Sequence, residues 1–375
     1  MIVGEEMNKK SRSWKAFQDC KDLARLVKSR RPPPAITQSS TPGFMEFGKY
    51  IPALHLAETL LDGYLQTFET VYRIFLVPAF KQEFRLLWTR AAIPSREVLI
   101  QAQLCMAIGA TVCKEGSSLR PYLTQWVSEG CTWAAHSSHK RKLSIAGLQI
   151  LCLLHIAMQT CAIEADLAWV PAGSLIRTAM CMGFHLDPSM LPAMPAADVE
   201  LRRRLWATVL EIALESSVSA GAPPLMTVDD LGGNYPFNCD DQDLVVSPDV
   251  ARGAVPKAAK PNSVFTDSSA QIALAKSFKA RLAIIRTINT PTLALATSYD
   301  DLVKLSATID QARHQLRSDL SLPGASSFQR RYCNMMLDRY YLAIHISYLS
   351  LAYKTPNSPY SLSRTTCVDT ALRLI

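Results

Sequence analysis

The sequence predicts an all-α protein built around one large multi-helix domain. From Pro52 onward apolar residues recur at three- and four-residue spacing, which is the period of an amphipathic helix. No alternating apolar and polar stretch of useful length interrupts this pattern, and the 375 residues are 49% hydrophobic, which is enough for a large core. We therefore expect a basic N-terminal segment and linker over residues 1–49 and an all-helical domain over residues 50–375.

The individual helices follow from the same periodicity. SWKAFQDCKDLARLVKSR, residues 13–30, predicts a short helix that ends at Pro32, because proline cannot continue a helix. An apolar stripe from Ala57 to Phe75 predicts the next helix, and Pro78 suits the first position of the one after it. Further helices are predicted over residues 96–113, 119–135, 143–163, 165–184, 198–218, 269–289, 300–318 and 326–353.

The last helices carry local signals at their ends. Ser298 with Asp301 three residues later resembles a capping box. Cys367–Ile375 looks like a helix without an end signal, as expected of a domain truncated at its C-terminus.

Residues 219–268 predict one long irregular loop, because glycine and proline break every longer element there. The loop contains acidic groups that could form a cation site or a general acid and base. Beside proline and glycine, such residues are more often turn and N-cap residues, and we favour that interpretation. The residues concerned are Asp229, Asp230, Asp240, Asp241 and Asp243.

The positive charge is concentrated at the N-terminus. The formal net charge is +8, yet residues 1–31 contain nine basic and four acidic side chains. The remaining 344 residues therefore have a net charge of only +3. A protein that neutralises many phosphates needs its basic groups on one face, so composition does not favour nucleic-acid binding by the body.

Residues that could support chemistry are few. The uncharged run Leu143–Ile163 is long enough to span a bilayer, but its polar residues and its equally apolar neighbours favour a core helix, so we expect no membrane contact. The ten cysteines include no C-x-x-C pair, which favours buried free thiols. Cys131, His136 and His139 lack a fourth ligand at a usable spacing. Phosphate-loop, nucleophile-elbow and dinucleotide motifs are missing, so we expect no enzyme and no catalytic, metal or cofactor site.

The segment ELRRRLW, residues 200–206, places three arginines in succession. At about 100° per residue they fan over about 200° of a helix, so they cannot contact one groove of DNA together. Because Glu200 lies four residues before Arg204, we expect Arg204 on an exposed, salt-bridged face. Arg202 lies in the middle of the apolar arc and Arg203 towards its edge. We expect Arg202 to pair with a carboxylate of another helix or of the following loop.

These residues together resemble a known family. The chain resembles the middle homology region of fungal zinc binuclear cluster transcription factors in several consecutive segments. These are GSLIRTAMCMGFHLDP (residues 173–188), ELRRRLW, GAP (221–223) and then Asp230, Pro236, Asn238 and Asp241. Residues 60–88 and 367–375 look like its opening and closing parts, so the similarity covers roughly residues 50–375. The motif positions that the resemblance singles out are Arg177, Gly183, His185, Glu200, Arg202, Arg203, Arg204, Trp206, Gly221 and Pro223.

The resemblance implies an all-helical regulatory domain of a nuclear protein that controls metabolic or biosynthetic genes. The family's DNA-binding zinc cluster needs six cysteines, whereas Cys20 is the sole cysteine before Cys105. We therefore expect action through protein contacts, with a full-length relative or a second copy of the chain, and neither zinc nor direct DNA binding. A second departure is Ala222, where relatives often have arginine. KSRR (28–31) and HKRK (139–142) are candidates for a nuclear import signal.

Two alternatives stay open. The chain could sense a small-molecule effector in a pocket lined by flexible sulfur-containing side chains, although ordinary core packing explains them as well. These side chains are Cys152, Met158, Cys161, Met180, Cys181 and Met182. The chain could instead be a decayed or wrongly started product of a full-length gene.

Overall fold

Helices make up nearly all of the regular structure in the part of the chain that the computed structural model describes. That part comprises residues 15, 18–19, 21–23, 25–26, 47–48, 50–89, 95–113, 118–231, 235–246, 250–251, 259–354 and 359–374. Its strands are the antiparallel two-residue pair Met194–Pro195 (β1) and Val250–Ala251 (β2). The all-α prediction is confirmed.

The first group of helices precedes the long loop. These helices are Leu54–Leu65 (α1), Glu69–Tyr72 (α2), Val77–Leu86 (α3), Arg96–Ala110 (α4), Arg120–His136 (α5), His139–Lys142 (α6), Ile145–Thr160 (α7), Trp169–Cys181 (α8) and Ala196–Ala220 (α9). Short 3₁₀ turns lie at Ala165–Leu167 and Pro188–Met190.

The second group lies in and after the loop. Its helices are Asp241–Val246 (α10), Ser269–Lys276 (α11), Phe278–Asn289 (α12), Pro291–Ala296 (α13), Tyr299–Asp319 (α14), Ser327–Lys354 (α15) and Ser361–Leu374 (α16). A 3₁₀ turn lies at Asp229–Leu231. The predicted irregular loop 219–268 therefore contains short regular elements, of which α10 is the longest.

The helices pack around α9. In the N-terminal part α4 contacts α1, α5 and α7, and in the C-terminal part α15 contacts α14 and α16. Helix α9 contacts α7 and α8 from the first group and α11 and α12 from the second. The four consecutive residues Arg203–Trp206 are all buried, so the middle of α9 has no broad solvent-facing side.

Serine side chains cap three of the longer helices. Ser95 accepts a hydrogen bond from the Val98 N–H at the start of α4, and Ser144 caps α7 in the same way. At the start of α14, Ser298 accepts from the Asp301 N–H at 3.2 Å and donates to the Asp301 carboxylate at 2.7 Å. The predicted pairing of Ser298 with Asp301 is confirmed, with the carboxylate bonded to the serine hydroxyl.

Several helix predictions need correction. The stripe from Ala57 to Phe75 is not one helix: α1 ends at Leu65, and Arg73 has a left-handed backbone with φ 52°. The predicted helix 269–289 is divided at Ser277 into α11 and α12. Most of the predicted helix 13–30 and the basic segment 28–31 lie outside the described residues.

The apolar run Leu143–Ile163 forms a core helix, as predicted. Helix α7 covers most of it, and its apolar side chains, with Leu148, Ile150 and Leu153 among them, are buried in the protein interior. Among the described helices, none combines the length and the apolar character that crossing a membrane requires.

His155 lies on the buried part of α7, and its protonation is expected to make the stability of the fold depend on pH. It is 5% exposed and its Nε2 has no hydrogen-bond partner. Burial lowers its pKa from 6.5 to about 4. The pKa of His155 is therefore lower in the folded state than in the unfolded state. The stability that the neutral imidazole contributes is present above pH 6.5 and is lost as the pH falls towards 4.

Between about pH 7 and pH 5, we expect the unchanged protein to lose about 2 kcal/mol more of its free energy of unfolding than the His155→Leu variant loses. Urea unfolding at both pH values measures this difference. The matched control is His55→Leu, because His55 is exposed on α1. Equal pH dependence of the two variants would contradict the assignment.

Candidate functional site: a buried arginine and carboxylate network

The ELRRRLW segment lies on α9 at the centre of a buried ionic network. Glu200 and Arg204 are both 0% exposed, and the Arg204 Nε lies 3.0 Å from the Glu200 Oε1. Glu200 also accepts hydrogen bonds from the Phe237 N–H, at 3.2 Å to Oε1 and 3.1 Å to Oε2. The pair therefore joins α9 to the loop that follows it.

The second carboxylate of Arg204 comes from that loop. The Arg204 Nη1 lies 2.5 Å from the Asp241 Oδ1, and Nη2 donates to the Cys239 carbonyl at 3.3 Å. Asp241 begins α10 and is 2% exposed. Our interpretation of Asp241 as a turn or cap residue is thus wrong, because its side chain is a buried counter-ion. Asp230 does have a turn role, since its Oδ2 accepts from the Thr227 N–H at 2.6 Å.

Arg73 completes the network from the opposite side. Its Nη2 donates to the Asp241 Oδ1, and the Asp241 Oδ2 accepts from the Val77 N–H at 2.8 Å. Two arginines and two carboxylates thereby balance in charge, and they connect α9, α10 and the segment between α2 and α3. A buried charge is tolerated only when it is paired in this way.

Glu69 extends the network beyond Arg73. It is 0% exposed, and it accepts hydrogen bonds from the Tyr64 hydroxyl at 2.6 Å and from the Phe75 N–H at 2.9 Å. These bonds hold the turn that places Arg73 in its left-handed conformation, so the backbone strain at Arg73 is balanced by a specific local structure.

The buried charges shift the acid pKa values in different directions. Burial raises the pKa of Asp241, but the charges of Arg73 and Arg204 outweigh burial, and the pKa lies below its ordinary value. For Glu200 burial prevails over Arg204 and raises the pKa. Burial likewise raises the pKa of Glu69 to about 7. The network is therefore anchored on Asp241, which remains ionised at neutral pH.

Two further ion pairs bind α9 to the C-terminal helices. Both guanidinium amino groups of Arg281 on α12 contact the carboxylate of Glu211, with 2.7 Å from Nη2 to Oε2. Arg339 on α15 pairs with Glu215, which also accepts from the Tyr340 hydroxyl at 3.2 Å. Helix α9 thus supplies acidic groups to partners on separate elements.

Arg204 is not on an exposed face, contrary to our expectation. The predicted partner Glu200 is correct, but both residues lie in the interior. Glu211, seven residues after Arg204 on the same helix, pairs instead with Arg281. The reason for the burial is that the loop after α9 folds back and covers the side of the helix opposite its apolar arc.

Arg202 does not form the predicted ion pair. It is half-buried, donates to the Met182 carbonyl at 2.8 Å and lies over the Phe184 ring at 4.2 Å from its centroid. No carboxylate among the described residues lies within 4 Å of it. A backbone carbonyl at the end of α8 and a ring face replace the carboxylate as partners.

The other motif residues are distributed around the network. Arg203 is buried with its guanidinium 4.4 Å from the Phe237 ring centroid, and the Trp206 Nε1 donates to the Asp230 carbonyl at 3.1 Å. The His185 ring is 6.3 Å from that of Trp206. Residues of the loop after α9 therefore contact Arg203 and Trp206 as well as Arg204.

The remaining motif positions have local roles. Arg177 donates to the Gly173 carbonyl of its own helix at 3.0 Å. Gly183 and Gly221 have φ of 72° and 62° at the ends of α8 and α9, where the left-handed backbone favours glycine. Pro223 is exposed. Arg177, Gly183, Gly221 and Pro223 do not join the ionic network.

Sequence reasoning missed Arg73, Glu69 and Arg281. Arg73 and Glu69 lie in what reads as a continuous helix, and Arg281 lies on an ordinary helix face. Arg73 is 168 residues from Asp241 along the chain, and Arg281 is 70 residues from Glu211. The sequence signal for these residues was a charged side chain within an apolar stripe, which indicates a buried charge. That signal does not identify the residue with which the charge pairs.

The sulfur-containing side chains do not surround one pocket. Cys152 and Met158 are packed in the core, whereas Cys181 is exposed on α8. Cys161 lines a cavity of about 240 Å³ together with Arg120 and Thr160. Binding of a small-molecule effector stays a prediction.

A metal-binding arrangement is not found among the described residues of the network. Within the described ranges no group of three or more histidine, cysteine or acidic side chains is arranged to hold a metal ion. The carboxylates of the network are each bonded to arginine or to backbone N–H groups. They therefore hold the fold together.

The fold is an all-helical domain in which Arg203 and Arg204 of the motif are internal. The family model of the fungal specific transcription factor domain matches residues 61–289, which is more than half of the chain. The chain belongs to this family.

Several curated proteins are similar over most of the chain. Transcription factor opdR of Penicillium oxalicum is 31% identical and covers 95% of this chain, and transcription factor lepE of Aspergillus flavus is 29% identical and covers 96%. The Aspyridones cluster regulator apdR of Emericella nidulans is 30% identical over 73% of the chain. No solved structure matches.

The chain is shorter than these relatives. It spans 42% of lepE, 45% of opdR and 37% of apdR. The activity of the full-length relatives is therefore assigned to this chain only as a proposal.

Proposed function

We propose that the chain regulates transcription of a metabolic or biosynthetic gene set in the nucleus, and that it does so through protein contacts and without enzymatic activity. Membership of the family and the names of the similar proteins support the regulatory role. The name of one relative, a cluster regulator, supports the link to biosynthesis. The partners we propose are a full-length relative or a second copy of the chain.

The burial of the motif arginines is the observation that supports protein contacts. Arg203 and Arg204 are 6% and 0% exposed, so neither guanidinium can approach a DNA phosphate without unfolding. The exposed basic residues of α6, such as Lys140 and Arg141, form a single short turn. Such a turn is too small to neutralise the many phosphates on which tight DNA binding depends.

A tethering assay tests the proposal. We expect the chain, fused to an unrelated DNA-binding domain, to change expression of a reporter about threefold or more, compared with that domain alone. The effect should require a folded chain, so Arg204→Ala should reduce it.

Selection on a random duplex library tests the indirect mode of action. We expect the purified chain to enrich no sequence. Enrichment of one motif with nanomolar affinity would overturn the proposal that the chain acts through protein contacts, whatever the reporter shows.

A further inference from the structure

A wide surface groove lies where α14, α15 and α16 meet. Its volume is about 750 Å³, compared with about 70 Å³ for the cavity beside His155. The start of α15 forms its floor, the end of α14 one wall and the end of α16 the other. The side chains that matter are Phe328, Arg330, Arg331 and Met335 on α15, Arg317 on α14 and Arg373 on α16.

The groove has excess positive charge. Four arginines line it, and the carboxylate among the lining residues is Asp338. Asp338 is 3% exposed and already lies 3.4 Å from Arg313 and 3.4 Å from Arg373. The other three arginines of the groove have no carboxylate within 4 Å among the described residues. Because residues 32–375 have a net charge of only +3, this concentration is unusual for the protein.

Two of these arginines are already held in position. The Arg317 Nε donates to the Asn334 Oδ1 at 3.0 Å, and the Arg330 Nη1 donates to the Ala325 carbonyl at 2.6 Å. Their remaining guanidinium N–H groups make no other hydrogen bond within the described part of the chain and can donate to a ligand. A ligand would therefore meet guanidinium groups that lose little conformational entropy on binding.

The floor of the groove is apolar and fixed. Phe328 stacks on Tyr332 with 5.2 Å between ring centroids, and both rings pack edge-to-face with Phe68. Met335 beside them is 36% exposed. A flexible thioether next to a fixed aromatic pair can accept an apolar side chain of varied shape.

We propose that this groove binds a short segment of a partner protein in which acidic residues flank an aliphatic or aromatic residue. The arginines would pair with the carboxylates, and the apolar residue would contact Met335 and the aromatic pair. Nucleic acid fits less well, since Phe328 and Tyr332 stack on each other and leave few open faces for bases. The inference deepens the proposed function, on which it rests, by giving the chemistry of a partner.

A labelled peptide tests the groove directly. The probe is a fluorescein-labelled peptide of glutamates alternating with leucine and phenylalanine, long enough to cross the groove, followed by fluorescence anisotropy. We expect saturable binding that Arg330→Glu/Arg331→Glu weakens about tenfold or more. Replacing leucine and phenylalanine by alanine in the peptide should weaken binding about fivefold.

The matched control is Lys279→Glu/Arg286→Glu. Both residues are exposed on α12, neither lines the groove, and the change in charge is the same. We expect this variant to bind the peptide within about twofold of the unchanged chain. Thermal melting of both variants verifies that they are folded.

Three outcomes would overturn the inference. These are no saturable binding, equal loss in the two charge variants, and displacement of the peptide by a DNA strand at lower concentration than by unlabelled peptide. If the peptide did not bind but the tethered chain still changed reporter expression, only the proposal about the groove would be rejected. Peptide binding without a reporter effect would reject the proposed function and leave the groove in place.

Discussion

Replacing Arg204 by alanine is expected to lower the free energy of unfolding by about 3–5 kcal/mol. The substitution leaves the carboxylates of Glu200 and Asp241 buried, with one arginine, Arg73, in place of two. An uncompensated buried charge costs far more than the net contribution of an intact pair. Urea unfolding followed by circular dichroism at neutral pH measures the change.

Arg202→Ala is the matched control for this prediction. Arg202 lies on the same helix two residues earlier, but it has one backbone carbonyl and one ring face as partners. We expect a loss of about 1 kcal/mol. If the two alanine variants lost the same stability, the network around Arg204 would have no special energetic importance.

A double-mutant cycle separates the contribution of Asp241. Asp241→Asn removes the shared carboxylate charge and leaves an amide of the same size. If the network acts as a unit, the loss in the double variant Arg204→Ala/Asp241→Asn should be smaller than the sum of the two single losses.

The sequence predicts part of this network and not the rest, for a physical reason. The spacing of Glu200 and Arg204 by four residues is a local property of any helix, and the structure contains that pair. The partners Asp241 and Arg73 are long-range, so helical periodicity says nothing about them. We expected Arg204 on an exposed face because we assumed that α9 is covered on one side. The loop covers the other side of α9 as well, so Arg204 is buried.

The fold shows the same division. The periodicity located α7 and α9, because long apolar patterns are set by the helix itself. The breaks at Arg73 and Ser277 have neither glycine nor proline to mark them. Hydrogen bonds from the Tyr64 hydroxyl and the Phe75 N–H to the Glu69 carboxylate stabilise the first break. Side-chain bonds of this kind compete with the helix, and helical periodicity does not indicate them.

The contact between α1 and α4 gives the other large expected effect. A Cβ atom on Gly109 would lie 1.8 Å from the Leu60 carbonyl oxygen and 3.0 Å from the Tyr64 backbone nitrogen. We expect Gly109→Ala to lower the free energy of unfolding by about 3 kcal/mol, measured by urea unfolding. Alanine favours the helix by about 1 kcal/mol, but the clash is with backbone, which cannot rotate away as a side chain would.

Gly221→Ala supplies the control, because the same substitution there tests backbone conformation without crowding. Gly221 has φ 62° at the end of α9, and no atom lies within 4 Å of the position that an alanine Cβ would take. The expected loss is about 1 kcal/mol, from the left-handed backbone alone. A larger loss at Gly109 than at Gly221 would show that close approach of α1 and α4 is what requires glycine. Equal losses would contradict this packing, because they would mean that the two helices can separate at little cost.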